Sequence, residues 1–176
     1  AMLLAAPCDI ELTETTQSLH DKLMLLGGKA LLEVIAQLKK GALVAVAQNN
    51  NRASYAEKIT KQEAHINWSL SAKHIEKNIR AYNPFPIAYA FFDQQRIKIY
   101  SATYTETLST SDITYNGFAV RVDGEVIALN DSGLIVACGV GALQITRLQL
   151  PGKKVMSVAE LINGYQDFFS IGENFE

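Results

Sequence analysis

The sequence is poor in the residues that usually announce chemistry. It holds two cysteines, Cys8 and Cys138, far apart and each in apolar surroundings. That spacing excludes a disulfide framework and a cysteine metal cluster, and both read as buried free thiols of a reducing cytoplasm. Its three histidines, His20, His65 and His74, never stand at metal-ligand spacing with a carboxylate. No serine or cysteine lies in a nucleophile elbow. No glycine loop cradles a phosphate, because Gly139 and Gly141 flank a turn between strands rather than a strand–helix junction. No apolar run approaches the ~20 residues needed to span a bilayer. The opening Ala1-Met2-Leu3-Leu4 has no basic n-region of a secretory signal.

What is present describes a globular chain. Hydrophobic residues make up 48% of 176, with a formal charge of −2, which is too apolar for disorder and too balanced for a generally basic protein. The charge is uneven, however. Between Arg52 and Arg80, six basic residues face only Glu57, Glu63 and Glu76, a local excess of +3.

In chain order, residues 2–9 read as a short strand. Thr16 is a candidate N-cap, and Leu19, Leu23 and Leu26 form a helical stripe broken at Gly27-Gly28. A second helix follows with Leu31, Val34, Ile35 and Leu38 on one side, closed by Lys39-Lys40-Gly41. These helices need an apolar partner, so residues 1–41 read as the tail of a larger α/β domain. Residues 42–66 read as a linker, with the aperiodic polar run Gln48-Asn49-Asn50-Asn51. A helix is expected from Ser71 to Tyr82, with Ala72, Ile75, Ile79 and Tyr82 on one face. Pro84 ends it, since the residue before a proline leaves the α region.

After Pro86 the period becomes two. Strands are expected at 87–92, 96–104, 118–122, 126–129, 134–138 and 142–150, with Ile97 and Ile99 inward and Arg96, Lys98 and Tyr100 outward. Leu143 and Ile145 fall on one parity and Leu148 and Leu150 on the other, which predicts a β-bulge near Thr146-Arg147. Ser157-Val158-Ala159-Glu160 is a capping box opening a last helix through Leu161, Ile162, Tyr165 and Phe168. The whole is α+β: an OB-like antiparallel barrel over residues 67–176, preceded by a helical segment.

Two runs carry a resemblance. YAEKITKQEAHINWSLSA followed by IRAYNPFP, and later VACGVGALQITRLQLPGKKVMSVAELING, resemble the linker, second-domain entry and end of methionyl-tRNA formyltransferases, over nearly the whole chain. The resemblance implies a protein that moves a formyl group from 10-formyltetrahydrofolate to the amine of initiator methionyl-tRNA. It places the family's catalytic asparagine, histidine and aspartate, and the folate site, upstream of Ala1. Residues 1–41 then end the catalytic domain, and this chain holds no catalytic, cofactor or metal residue and no formylating activity of its own. The remaining work is holding tRNA. Lys58 and Lys61 match the family's basic linker, and Arg80, Lys153 and Lys154 are further tRNA-binding candidates. His20 and His74 read as surface residues, whereas His65 lies in the hinge beside a potential backbone phosphate. Trp68, Tyr82 and Phe85 read as packing rather than stacking residues. The chain departs from the family at His65-Ile66-Asn67-Trp68, at Phe85 and at Gly164-Tyr165-Gln166-Asp167. Two other readings compete: a formyltransferase for a sugar amine, and a non-enzymatic nucleic-acid-binding module. Leucines deprived of their sheet also imply self-association.

Overall fold

The computed structural model describes residues 1–105, 122–165 and 167–176. The expected strand at 118–122 lies almost wholly outside them. The chain divides into two compact units, Ala1–Ile59 and Thr60–Glu176.

The first unit is built on one helix, α1 (Thr16–Lys39). Its N-cap is Thr15, one residue earlier than expected, in a reciprocal box with Ser18. The helix runs straight through Gly27-Gly28 instead of breaking there. Glycine weakens a helix interior by about 1 kcal/mol against alanine, a cost the remaining good formers absorb. Leu19, Lys22, Leu26, Ala30, Val34 and Gln37 are half-buried, a three- and four-residue stripe. Leu23, Met24, Leu25, Leu31, Leu32, Ile35 and Leu38 are exposed. The expected first strand reduces to one antiparallel bridge, Met2 with Val46.

The second unit opens with helix α2 (Ala72–Ala81). Ser71 caps it, and it buries the predicted Ala72, Ile75 and Ile79. A two-residue turn, Asp93-Gln94, joins β1 (Ala88–Phe92) to β2 (Gln95–Thr105). Both turn residues have positive φ (46° and 59°), the hand that matches strand twist. The remaining strands are β3 (Val126–Asn130), β4 (Gly133–Ala137), β5 (Ala142–Gln149) and the short β6 (Met156–Ser157), followed by helix α3 (Val158–Gly164). Ser157 and Glu160 cap α3 as predicted, but the helix stops before Tyr165.

Among the described residues the named strands pair antiparallel, in the order β1-β2-β5-β4-β3, with β6 on β5, while isolated parallel bridges tie His65 to Tyr89 and Ser71 to Val140. This is an α+β fold. Among the described residues the strand path stays open between β1 and β3, where a closed OB-like barrel was expected. The terminal segment nonetheless reaches both edges: Phe175 N–H donates to the Gly124 carbonyl, Val126 N–H to Glu173, and Phe91 and Glu176 exchange two backbone bonds.

The predicted phase slip is present. Leu148 pairs with Ile99, Arg147 with Ser101 and Ile145 with Ala102, leaving Thr146 and Tyr100 extra in their strands. Leu143, Ile145, Leu148 and Leu150 all bury despite their different parity, because the bulge rotates the strand by one residue. Together with Ile75, Ile79, Ile97, Ile99, Leu134, Val136 and Leu161 they form the core, each large side chain worth ~1.5–3 kcal/mol when fully buried. Phe92, Phe168, Phe169 and Phe175 pack ring against ring at its end, in stacked, tilted and edge-on pairs.

Candidate nucleic-acid interface

The cations that the hinge reading singles out are placed unequally. Lys58 is exposed near the end of the first unit. Lys61 is exposed at the start of the second, on a turn pinned by Glu63. That carboxylate accepts from the Thr60 hydroxyl at 2.6 Å and the Thr60 N–H at 2.9 Å, and these bonds hold its pKa below the ordinary value. Arg80 is committed locally: its Nε lies 2.6 Å from Glu76 Oε1 and its Nη2 3.1 Å from Oε2, with a side chain 21% exposed. A phosphate would have to displace that bidentate pair. Lys153 and Lys154 project from the exposed β5–β6 turn, where Gly152 takes φ +68°. Lys153 Nζ stands 5.4 Å from the Tyr165 ring centre.

The histidines separate by environment. His20 and His74 are exposed. His65 is exposed too, but its ring is engaged: Nε2 lies 3.1 Å from the Glu176 carbonyl oxygen, and the imidazole stacks on Tyr89 at 5.1 Å. Trp68 is 5% exposed and packs on Phe175, so it is core as expected. Tyr82 is half-buried, and burial pushes its phenol pKa up. Phe85 differs: it is 60% exposed, because Pro86 and Ile87 occupy the interior beside it.

A second cationic surface was not singled out among the sequence candidates. On the outer face of β1 and β2, Tyr89 lies opposite Lys98 and Phe91 opposite Arg96. The Arg96 guanidinium sits 3.6 Å over the Tyr89 ring. Arg96 on β2 and His65, through an isolated bridge to Tyr89, thus approach Tyr89 from the two sides of β1. Arg96 and Lys98, with Gln149, Leu150, Pro151 and Gly152, line a depression of about 110 Å³. The alternation did mark Arg96 and Lys98 as outward. Two cations and two rings at matching two-residue steps across a tight turn are the signal that points further.

Among the described residues, no three or more His, Cys, Asp or Glu side chains gather where a metal could sit, and no helix is long and apolar enough to cross a membrane. Cys138 is buried, and that burial pushes its thiol up to about 12, so it is no nucleophile near neutral pH.

Fold and surface together define a class: a small α+β module on an antiparallel sheet, whose exposed functional groups are cations beside aromatic rings. Residues 58–166 match the family model described as formyl transferase, C-terminal domain, and the chain belongs to that family. Similar curated proteins carry the name methionyl-tRNA formyltransferase. The one from Marinobacter nauticus is 42% identical over 93% of this chain and 49% of its own length. The one from Pseudoalteromonas translucida is 40% identical over 99% of this chain and 53% of its own. The chain therefore spans about half the length of the curated relatives it matches. Crystal structures of HypX from Aquifex aeolicus share the fold. One variant covers 88% of this chain and 27% of HypX at TM-score 0.62 and 16% identity. A complex with tetrahydrofolic acid covers 79% and 23% at TM-score 0.56 and 17% identity.

Proposed function

We propose that this chain is the tRNA-holding part of a methionyl-tRNA formyltransferase, working in the cytoplasm. It grips initiator methionyl-tRNA and presents the aminoacyl end to the domain that transfers a formyl group from 10-formyltetrahydrofolate, while binding no folate itself. The observation that carries this reading is identity of 42% across 93% of the chain with an enzyme of that name. Lys58 and Lys61 contribute backbone-phosphate contacts, each exposed and free to move to a phosphate. Lys153 and Lys154 contribute from the β5–β6 turn, and Arg80 contributes least because Glu76 already holds it. Residues 1–41 are the end of the catalytic domain, 42–66 the linker, and 67–176 an OB-like barrel. The bonds from Glu173, Phe175 and Glu176 to both sheet edges support that barrel.

Exchanging the corresponding half of the Marinobacter nauticus enzyme for this chain tests the reading. An active hybrid whose KM for tRNA rises with Lys58→Ala/Lys61→Ala is expected. A folded hybrid with unchanged KM in that variant would refute it. Self-association through the exposed leucines of α1 belongs to the same proposal, and sedimentation velocity should show a dimer that Leu31→Glu/Leu32→Glu dissolves.

A further inference from the structure

The depression beside Arg96 is too small for a nucleoside and sized for a phosphate group. Two cations from alternate positions of one strand face it, and its far wall is the exposed turn at Pro151 and Gly152. Among the described residues, no carboxylate lies within ion-pair distance of Arg96 or Lys98. The guanidinium carbon lies 3.6 Å from the centre of the Tyr89 ring, which in turn stacks on His65. A guanidinium spread over an aromatic ring keeps its N–H edge available for an anion, and it loses less rotamer freedom on binding one. Lys98 is half-buried directly opposite Tyr89, so its chain is likewise confined.

We infer that Arg96 and Lys98 form a seat for a backbone phosphate of RNA, with Tyr89 as the residue that positions the guanidinium. This rests on the tRNA-holding reading and adds a contact outside the hinge. The geometry favours a phosphate over a stacked base, because Tyr89 already has Arg96 and His65 at its ring.

The test is filter binding of initiator methionyl-tRNA to the whole chain across a salt series, with urea melts confirming that each variant folds. Arg96→Gln/Lys98→Gln should lower the log–log salt slope by about 1.4–1.8, two contacts at ~0.7–0.9 each. Tyr89→Leu should weaken binding several-fold without changing charge, and Tyr89→Phe should not. If the wild type binds, Lys58→Ala/Lys61→Ala weakens it, and Arg96→Gln/Lys98→Gln leaves the slope intact, then this inference fails and the hinge reading stands. If the wild type binds no tRNA, both fail. If inorganic phosphate at constant ionic strength displaces tRNA at micromolar concentration, the seat is a site for free phosphate and the inference is overturned.

Discussion

Gly139→Ala should disable the second unit. A Cβ built at Gly139 lies 2.0 Å from the Ser69 carbonyl oxygen and 2.7 Å from its carbon. Both neighbours are backbone, so no rotamer change relieves the overlap. The same contact carries the docking bonds of the segment leading into α2. Gly139 N–H donates to Trp68 at 2.9 Å and Leu70 at 3.1 Å, and Ala72 N–H donates to Val140 at 2.9 Å. Two donors lost at ~1 kcal/mol each contribute about 2 kcal/mol. Overpacking adds roughly 1–3 kcal/mol, for a total of about 3–5 kcal/mol. Trp68 is the only tryptophan and is buried in this unit, so its emission during urea unfolding reports the change directly. Gly164→Ala is the control: nothing stands within 4 Å of its Cβ, and it should stay within ~0.5 kcal/mol of the parent. A shift below ~1 kcal/mol for Gly139→Ala would show that the two segments do not approach this closely.

Gly27→Ala and Gly28→Ala should each stabilise the first unit, by up to about 1 kcal/mol, since α1 is continuous there and both sites are open; a lower far-UV melting point would contradict the unbroken helix. With a thiol reagent at pH 8, half-buried Cys8 should label in the native protein and Cys138 only after unfolding, given its burial and a pKa near 12; two fast thiols would exclude that packing. The backbone N–H and hydroxyl of Ser157 hold Glu160 below the ordinary glutamate value of 4.5. The folded pKa is the lower one, so this stabilisation is present above 4.5 and fades as pH falls through the folded value. Glu160→Gln should flatten that acid limb, and Ser157→Ala should cost about 1 kcal/mol at neutral pH in the same melts.

Local patterns were readable wherever one residue's periodicity decides the outcome. The buried face of α2 follows from Ala72, Ile75 and Ile79 at helical steps. The bulge at Thr146 follows from a change of parity between Ile145 and Leu148. Decisions between competing local costs were harder. Gly27-Gly28 reads as a break, yet a long helix carries both glycines. Strand order was out of reach, because β5 pairs not only with its hairpin partner β4 but also with β2, through residues about 40 positions away that no local window of sequence contains. The candidate surface divides the same way. Lys58 and Lys61 stand out because their run resembles the family's basic linker. The ladder of His65, Tyr89 and Arg96 needs β1 flanked by both partners before it exists. Arg80 reads as a tRNA-binding candidate in the sequence, and Glu76 one turn earlier marks the ion pair that holds it.

The claim that this chain grips initiator methionyl-tRNA through its hinge stands or falls on direct binding by the purified chain across a salt series. Binding is predicted, with affinity falling linearly on logarithmic axes. Lys58→Ala/Lys61→Ala should reduce the slope by about 1.4–1.8. No binding near physiological salt, or a slope that ignores both lysines, would contradict it.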